Sequence, residues 1–170
     1  MFTLKKVKTS EKKRQEHAPY TILNNRFGLQ IPQEWEDQTV YRFKGPEEDG
    51  INHNIIVTIE NQVDIPDLAT YADMKIKAVE TELQGYHELK RGQLLLNNQL
   101  PAYELVCKWC PVEAMEVYQR SIYILHNETG YILTATFSKK TWKTRGTEID
   151  KILKSFTIPN KKQEVYLGRR

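Results

Sequence analysis

Strand-like segments occur in two blocks along this sequence, and one long helical pattern separates the blocks. In that pattern, apolar side chains recur every three or four residues from Leu68 to Leu83, as they do on one face of an α-helix. Asp64 or Asp67 can cap its start, and Gly85 follows its end. Strands that come in blocks, instead of alternating with helices, predict an α+β fold with helices packed against an antiparallel sheet.

Four segments before this helix and four after it have the composition of strands and are bounded by turn residues. The first pair meets at two asparagines and predicts a hairpin, and the second pair is separated by an acidic turn from Gly45 to Gly50. A second helix is predicted from Thr147 to Phe156. The predicted strands are 20–23, 27–31, 39–44, 54–59, 88–96, 102–109, 115–125 and 131–137.

The two ends of the chain differ in composition from its middle. Residues 1–18 and 160–170 are rich in Lys and Arg and lack sustained apolar periodicity, which predicts a disordered basic leader and a basic tail around one domain at 19–159. The net charge of +3 comes from these ends, since residues 17–159 carry 15 basic and 19 acidic side chains. A mildly acidic domain argues against a face that binds nucleic acid.

No stretch of the sequence is apolar enough to act as a secretory signal or to span a membrane. We therefore expect a cytoplasmic protein without stable membrane association. In that compartment, its two cysteines predict no disulfide framework.

Residues that could carry catalysis or bind a metal are scattered along the chain. Cys107 and Cys110 have C-x-x-C spacing, but they end a predicted strand, and no second pair of cysteines completes a zinc site. Four histidines are spread over unrelated segments, and no glycine-rich phosphate or dinucleotide motif occurs. Although distant residues can converge in a fold, the sequence predicts a protein that binds another polypeptide, is not an enzyme and uses no metal or cofactor.

Several short motifs between residues 20 and 159 form a series. They are Ile31-Pro32, Trp35, Asp37-Gln38, Leu68 to Tyr71, Leu83 to Tyr86 and Tyr118 to Tyr123. In this order they resemble the DcrB-like group, also called DUF1795, and within it they most resemble the Eag chaperones, the effector-associated proteins of type VI secretion systems. The resemblance implies a Mog1/PsbP-like fold.

The resemblance also implies a function. The implied function is that of a cytoplasmic, homodimeric chaperone, which binds and shields the hydrophobic N-terminal transmembrane helices of a type VI secretion effector. Covering the apolar area of such helices, at about 25 cal/mol per Å², would prevent aggregation or premature membrane insertion. The alternative is a non-catalytic Mog1/PsbP-fold module for a soluble protein partner. The residues that the resemblance assigns to client binding are Val40, Arg42, Ile56, Lys75, Val79, Leu83, Val117 and Ser121.

Three of these positions depart from the chaperones that the sequence resembles. Arg42, Lys75 and Ser121 stand where those proteins have an apolar residue and amides. Cations in an apolar groove are costly unless they are paired. Either the client carries acidic groups, or this protein binds another ligand, and the apolar members of the set could also be ordinary core residues.

Overall fold

The structure, a computed structural model, consists of two units of chain, Met1–Glu36 and Asp37–Arg170. In the first unit, strand β1 (Tyr20–Leu23) pairs antiparallel with β2 (Gly28–Ile31), which confirms the hairpin predicted there. The predicted leader and tail lie outside the described residues. The structure describes residues 20–23, 28–31, 38–113 and 115–159.

The second unit is built on a six-stranded antiparallel sheet and two α-helices. Its elements are β3 (Val40–Glu48), β4 (Ile51–Glu60), α1 (Leu68–Glu82), β5 (His87–Leu95), β6 (Pro101–Val112), β7 (Met115–His126), β8 (Thr129–Phe137) and α2 (Lys139–Lys154). The strands lie in the order β3-β4-β8-β7-β6-β5, so β5 to β8 form a meander and β4 pairs with β8. The predicted fold class, an α+β protein with helices packed against an antiparallel sheet, is confirmed.

Alternate residues of the central strands point to opposite faces of this sheet, and each face packs against one helix. On β7, Tyr123 packs with Tyr71 of α1 in one buried cluster. Its neighbours Ile122 and Ile124 pack with Leu153 of α2 in the other. We call the two sides the α1 face and the α2 face. The hydrophobic core therefore has two layers, separated by the sheet.

Helix α1 has the bounds that its sequence predicts, within one residue. Asp67 caps its start by accepting a hydrogen bond from the backbone N–H of Thr70 at 2.9 Å, and this bond lowers the pKa of the Asp67 carboxyl group. Beyond its end, Gly85 has a φ of 66°, a left-handed conformation that glycine adopts without steric strain. Tyr71 and Ile76 on its inner side are completely buried.

Strand β3 continues further than its sequence predicts. The turn expected from Gly45 to Gly50 contains only Asp49 and Gly50, because the preceding residues extend β3 past a bulge between Lys44 and Glu47. Asp49 and Gly50 have φ values of 56° and 70°, and two positive φ values are what a two-residue hairpin turn requires. The acidic segment is therefore mostly strand.

Helix α2 begins at Lys139, well before its predicted start at Thr147. Ser138 and Thr141 form a reciprocal cap, in which the Ser138 hydroxyl accepts from the Thr141 N–H at 3.1 Å and the Thr141 hydroxyl accepts from the Ser138 N–H at 2.9 Å. The sequence did not reveal this start because the first turns are mostly polar and the capping partner is Thr instead of the usual Glu or Gln. Gly146 also interrupts the helical pattern.

Candidate binding surface

The hairpin formed by β3 and β4, which we call the edge hairpin (residues 40–60), extends past both helices. Helix α1 packs on β6 and β7, and α2 packs on β7 and β8. Three apolar side chains of β3 are exposed as a result: Val40 at 56%, Tyr41 at 52% and Phe43 at 59%. The edge hairpin thus presents two surfaces, one on each face of the sheet.

One row of paired residues crosses four strands on the α1 face. Arg42 pairs with Ile56, Ile56 with Thr134, and Thr134 with Ser121. Residues paired in this way in an antiparallel sheet point to the same side. Ser121 pairs in turn with Leu105, which packs against α1, so the row lies on the α1 face.

The other predicted client-binding residues lie on the same face. Val40 is two residues from Arg42 on β3, and Val117 is four residues from Ser121 on β7, so strand alternation places both with that row. On α1, Val79 and Leu83 pack against the buried cluster beneath the helix. The fold thus brings residues from β3, β4, β7 and α1 to one side of the sheet.

Exposure separates these positions into two groups. Val40 and Arg42 are exposed, and Ile56 is half-buried. Val117 and Ser121 are only 3% and 1% exposed, and the Ser121 hydroxyl lies 3.3 Å from the hydroxyl of Thr134. The accessible part of the surface is the edge hairpin, and Val117 and Ser121 lie beneath the surface.

Lys75 is paired, which removes one difficulty of placing a cation beside an apolar ligand. Its ammonium lies 2.5 Å from one oxygen of Glu60 at the end of β4, and the Tyr71 hydroxyl donates to the other oxygen at 2.8 Å. Burial, and then the bond to Glu60, raises the pKa of Tyr71, so this hydroxyl remains a neutral donor. The three side chains tie α1 to the edge hairpin.

Arg42 lies on β3, the first strand in the order of the six-stranded sheet. Within the described part of the chain, neither Arg42 nor Lys44, two residues further along the same face, has an ion-pair partner. Beside them lie the apolar Val40 and Ile56 and the hydroxyl of Thr134. The α1-face surface is therefore mixed, with apolar and hydroxyl groups and a cationic margin.

A second concave surface, on the α2 face of the edge hairpin, was not predicted. It is a groove of about 640 Å³ between the edge hairpin and α2, which we call the α2-face groove. At one end, the Arg145 guanidinium donates to Glu48 with Nε at 2.9 Å, and this bond lowers the pKa of Glu48. One sequence signal could have indicated this groove. Strand β3 has apolar residues on both of its faces, at Val40, Tyr41 and Phe43.

In the part of the chain that the structure describes, no group of three or more His, Cys, Asp or Glu could hold a metal ion. Cys107 and Cys110 are free thiols, and burial raises the pKa of Cys107 to about 11, which disfavours a reactive thiolate. His53 is buried in β4, and neither ring nitrogen has a hydrogen-bond partner among the described residues.

Among the described helices, none combines the length and the apolar character needed to cross a membrane. The architecture of residues 38–159 is of the α+β class, with a six-stranded antiparallel sheet and a helix on each face. The family model of DcrB matches residues 28–155, which is most of the chain. The protein belongs to the DcrB family.

Solved structures with a similar fold are distant in sequence. A protein of unknown function, PA94 from Pseudomonas aeruginosa, superposes with a TM-score of 0.67 at 17% identity, over 84% of this chain and 99% of that one. Cyanobacterial PsbP from Synechocystis superposes with a TM-score of 0.49 at 10% identity, over 90% of this chain and 99% of that one. The Ran-binding protein Mog1p from Saccharomyces cerevisiae superposes with a TM-score of 0.42 at 14% identity, over 78% of this chain and 84% of that one. No curated protein matches the sequence at a significant level.

Proposed function

We propose that this protein is a cytoplasmic, Eag-type chaperone that binds the hydrophobic N-terminal transmembrane helices of a type VI secretion effector and shields them before secretion. Membership of the DcrB family supports this proposal. The observation that supports it is the α1 face of the edge hairpin, where Val40, Arg42 and Ile56 are accessible and lie on the same side of the sheet as the other residues that the resemblance assigns to client binding. Binding is non-covalent and needs no cofactor.

The chemistry of the α1-face surface suits one side of a transmembrane helix. Val40 and Ile56 offer apolar contact to the client side chains. The hydroxyl of Thr134 can bond to the small polar residues through which transmembrane helices pack against one another. Arg42, at the margin, can keep its guanidinium in water while its stem covers apolar surface, or it can pair with an acidic residue of the client. Lys75 adds no unbalanced charge because Glu60 neutralises it.

A homodimer would present two such surfaces. In a two-fold dimer both copies of the surface are identical, so a client with two apolar helices could place one helix on each copy. Each helix removed from water would then contribute about 25 cal/mol per Å² of covered apolar area.

Replacing Val40 with Asp is expected to abolish capture of the client while leaving the fold intact. Val40 is exposed, so a carboxylate there stays hydrated in the free protein, but it would be desolvated against an apolar helix. We expect co-purification of the client to fall about tenfold or more, the loss of roughly 1.4 kcal/mol or more of binding free energy. The measurement is affinity co-purification of the co-expressed client, with circular dichroism as a check of the fold.

The matched control is Val112→Asp. Val112 is a valine of similar exposure, 59%, at the far end of β6, and it should not affect capture. Equal capture by the Val40 and Val112 variants would contradict the proposed surface.

A deletion in the effector tests which part of it the protein binds. Co-expression with the effector, with and without its N-terminal apolar region, should give capture only of the form that retains this region. Capture that persists after the deletion would favour the alternative, a module that binds a soluble protein partner through the same fold.

A further inference from the structure

The α2-face groove is an exposed apolar surface that the proposed client binding does not use. Strand alternation places Tyr41 and Phe43 on the opposite side of β3 from Val40. These two side chains and Ile152 of α2 lie around the groove and are exposed. Single exposed apolar residues are common on protein surfaces, but a contiguous group around a concavity of about 640 Å³ marks a place where something else binds.

The polypeptide chain itself leads into this groove. Residues 156–159 follow α2 and line the groove, and they are the last residues that the structure describes. The ring centroid of Phe156 lies 5.3 Å from that of Tyr131, and Tyr131 pairs with Ile59 of β4. Arg145 lines the other end of the groove, beside the hairpin turn. The next residues of the chain therefore start at the end of the groove that is remote from this turn.

These next residues, 160–170, which we call the C-terminal segment, have a composition that suits the groove. Three consecutive apolar residues, Val165 to Leu167, lie within it. An extended chain advances about 3.3 Å per residue, so they can reach about 20–26 Å from Pro159. The groove is of similar length, because the β4 residues that line it extend from Ile59 to His53, about 20 Å along the strand. The apolar residues can therefore reach any part of it.

Charge complementarity supports the same occupant. The C-terminal segment carries four basic side chains and one acidic side chain, and Arg169 and Arg170 follow shortly after its apolar residues. The hairpin turn beyond the Arg145 end of the groove is acidic. Its Glu47 and Asp49 are exposed and form no ion pair with any described residue. An extended segment that enters at the opposite end would bring its two arginines to this turn.

We propose that the C-terminal segment binds in the α2-face groove of its own chain. Val165 to Leu167 contact the apolar lining, and Arg169 and Arg170 lie at the acidic turn. Because the segment is tethered at Pro159, its effective concentration at the groove is on the order of 1 mM, so contacts that are weak individually are enough to keep it bound. The bound segment covers Phe43 and shields the groove from other apolar ligands.

Photo-crosslinking in the complete protein tests where the segment lies. The photoreactive p-benzoylphenylalanine replaces Tyr166, and the linked peptides are identified by mass spectrometry after irradiation. We expect links within one chain to peptides that contain Phe43 or Ile152. Links to a second copy of the protein, seen as a covalent dimer, would assign the segment to that copy and overturn the proposal. The absence of links to peptides of the groove would also overturn it.

An uncharged apolar dye, phenylnaphthylamine, tests whether the segment covers the groove. The complete protein with Val165→Ser and Leu167→Ser should bind the dye about tenfold more tightly than the unchanged protein, because the tethered competitor is lost. Adding Phe43→Ser to this variant should abolish the gain, whereas adding Val40→Ser, on the opposite face of the same strand, should not. Equal dye affinity of the unchanged protein and the segment variant contradicts the proposal, and so do equal effects of the Phe43 and Val40 substitutions.

Charge reversal tests the contact with the acidic turn. Arg169→Glu together with Arg170→Glu should increase the dye affinity about threefold, because two surface ion pairs become repulsive. Adding Glu47→Lys should reverse part of this increase. An unchanged dye affinity after charge reversal would disprove the placement of the two arginines at the turn. Capture of the client on the α1 face enters none of these measurements, so this proposal and the proposed function fail separately.

Discussion

Replacing Gly130 with Ala is expected to destabilise the protein severely. A Cβ atom built at Gly130 would lie 2.3 Å from the hydroxyl oxygen of Tyr71 and 2.6 Å from the ring carbon that bears it. Tyr71 is completely buried, and its hydroxyl is fixed by Glu60, so the ring cannot move aside without losing both its packing and this bond. Overpacking of a filled core costs about 1–3 kcal/mol, and we expect a value at the upper end of that range.

Urea unfolding followed by circular dichroism measures this change in the free energy of unfolding. Gly146→Ala is the matched control, because nothing lies within 4 Å of a Cβ at Gly146 in the middle of α2. Alanine is the better helix former, so this variant should be more stable by about 1 kcal/mol. The close approach of Tyr71 would be disproved if Gly130→Ala unfolded at the same urea concentration as the unchanged protein.

Replacing Arg120 with Met is expected to have the second large effect on stability. Arg120 bridges Glu104 at 2.6 Å and Asp150 at 2.7 Å, so it joins β6 and β7 to α2. The side chain of Glu104 is only 5% exposed, and without Arg120 its remaining ion pair is with the exposed Lys90. Removing one partner of a buried ion pair costs about 3–5 kcal/mol. Because Lys90 still pairs with Glu104, we expect a loss near the lower end of that range.

A double variant distinguishes the lost ion pair from lost packing. Changing Glu104 to Leu together with Arg120→Met removes both members of the buried pair, and it should recover a large part of the stability because the buried carboxylate is gone and Asp150 keeps its pair with Lys154. Arg42→Met, which removes an exposed guanidinium from the edge of the sheet, should change the free energy of unfolding by less than about 0.5 kcal/mol. A double variant as unstable as the single Arg120 variant would mean that packing accounts for the effect.

Local sequence patterns predicted those elements in which all local signals agree. Helix α1 has a capping Asp67, an apolar stripe and a terminal Gly85, and each of these signals lies within a few residues of the helix. The start of α2 lacked such agreement. Ser138 caps this helix together with Thr141, which is not the usual partner in such a cap, and the turns that follow are mostly polar. Strand ends predicted from single turn residues were also inaccurate. The predicted end of β3 was Lys44, but a bulge after this residue lets the strand continue.

The arrangement of the candidate surfaces depends on contacts that no local pattern contains. Alternation along β3 indicates that Val40 and Arg42 share a face, but only the pairing of β4 with β8 brings Ile56 beside Thr134. The partner of Lys75 is Glu60, fifteen residues away on another element, and the sequence alone left that cation unexplained. The α2-face groove exists because α2 packs mainly on β7 and β8 and leaves Tyr41 and Phe43 of the edge hairpin exposed, which depends on the whole sheet.

The edge hairpin is held against the helices by one charged contact from each of them. Lys75 of α1 reaches Glu60 at the end of β4, and Arg145 of α2 reaches Glu48 beside the hairpin turn. The ion pair on the α1 face and the ion pair at the end of the α2-face groove therefore attach the same hairpin to helices on opposite sides of the sheet.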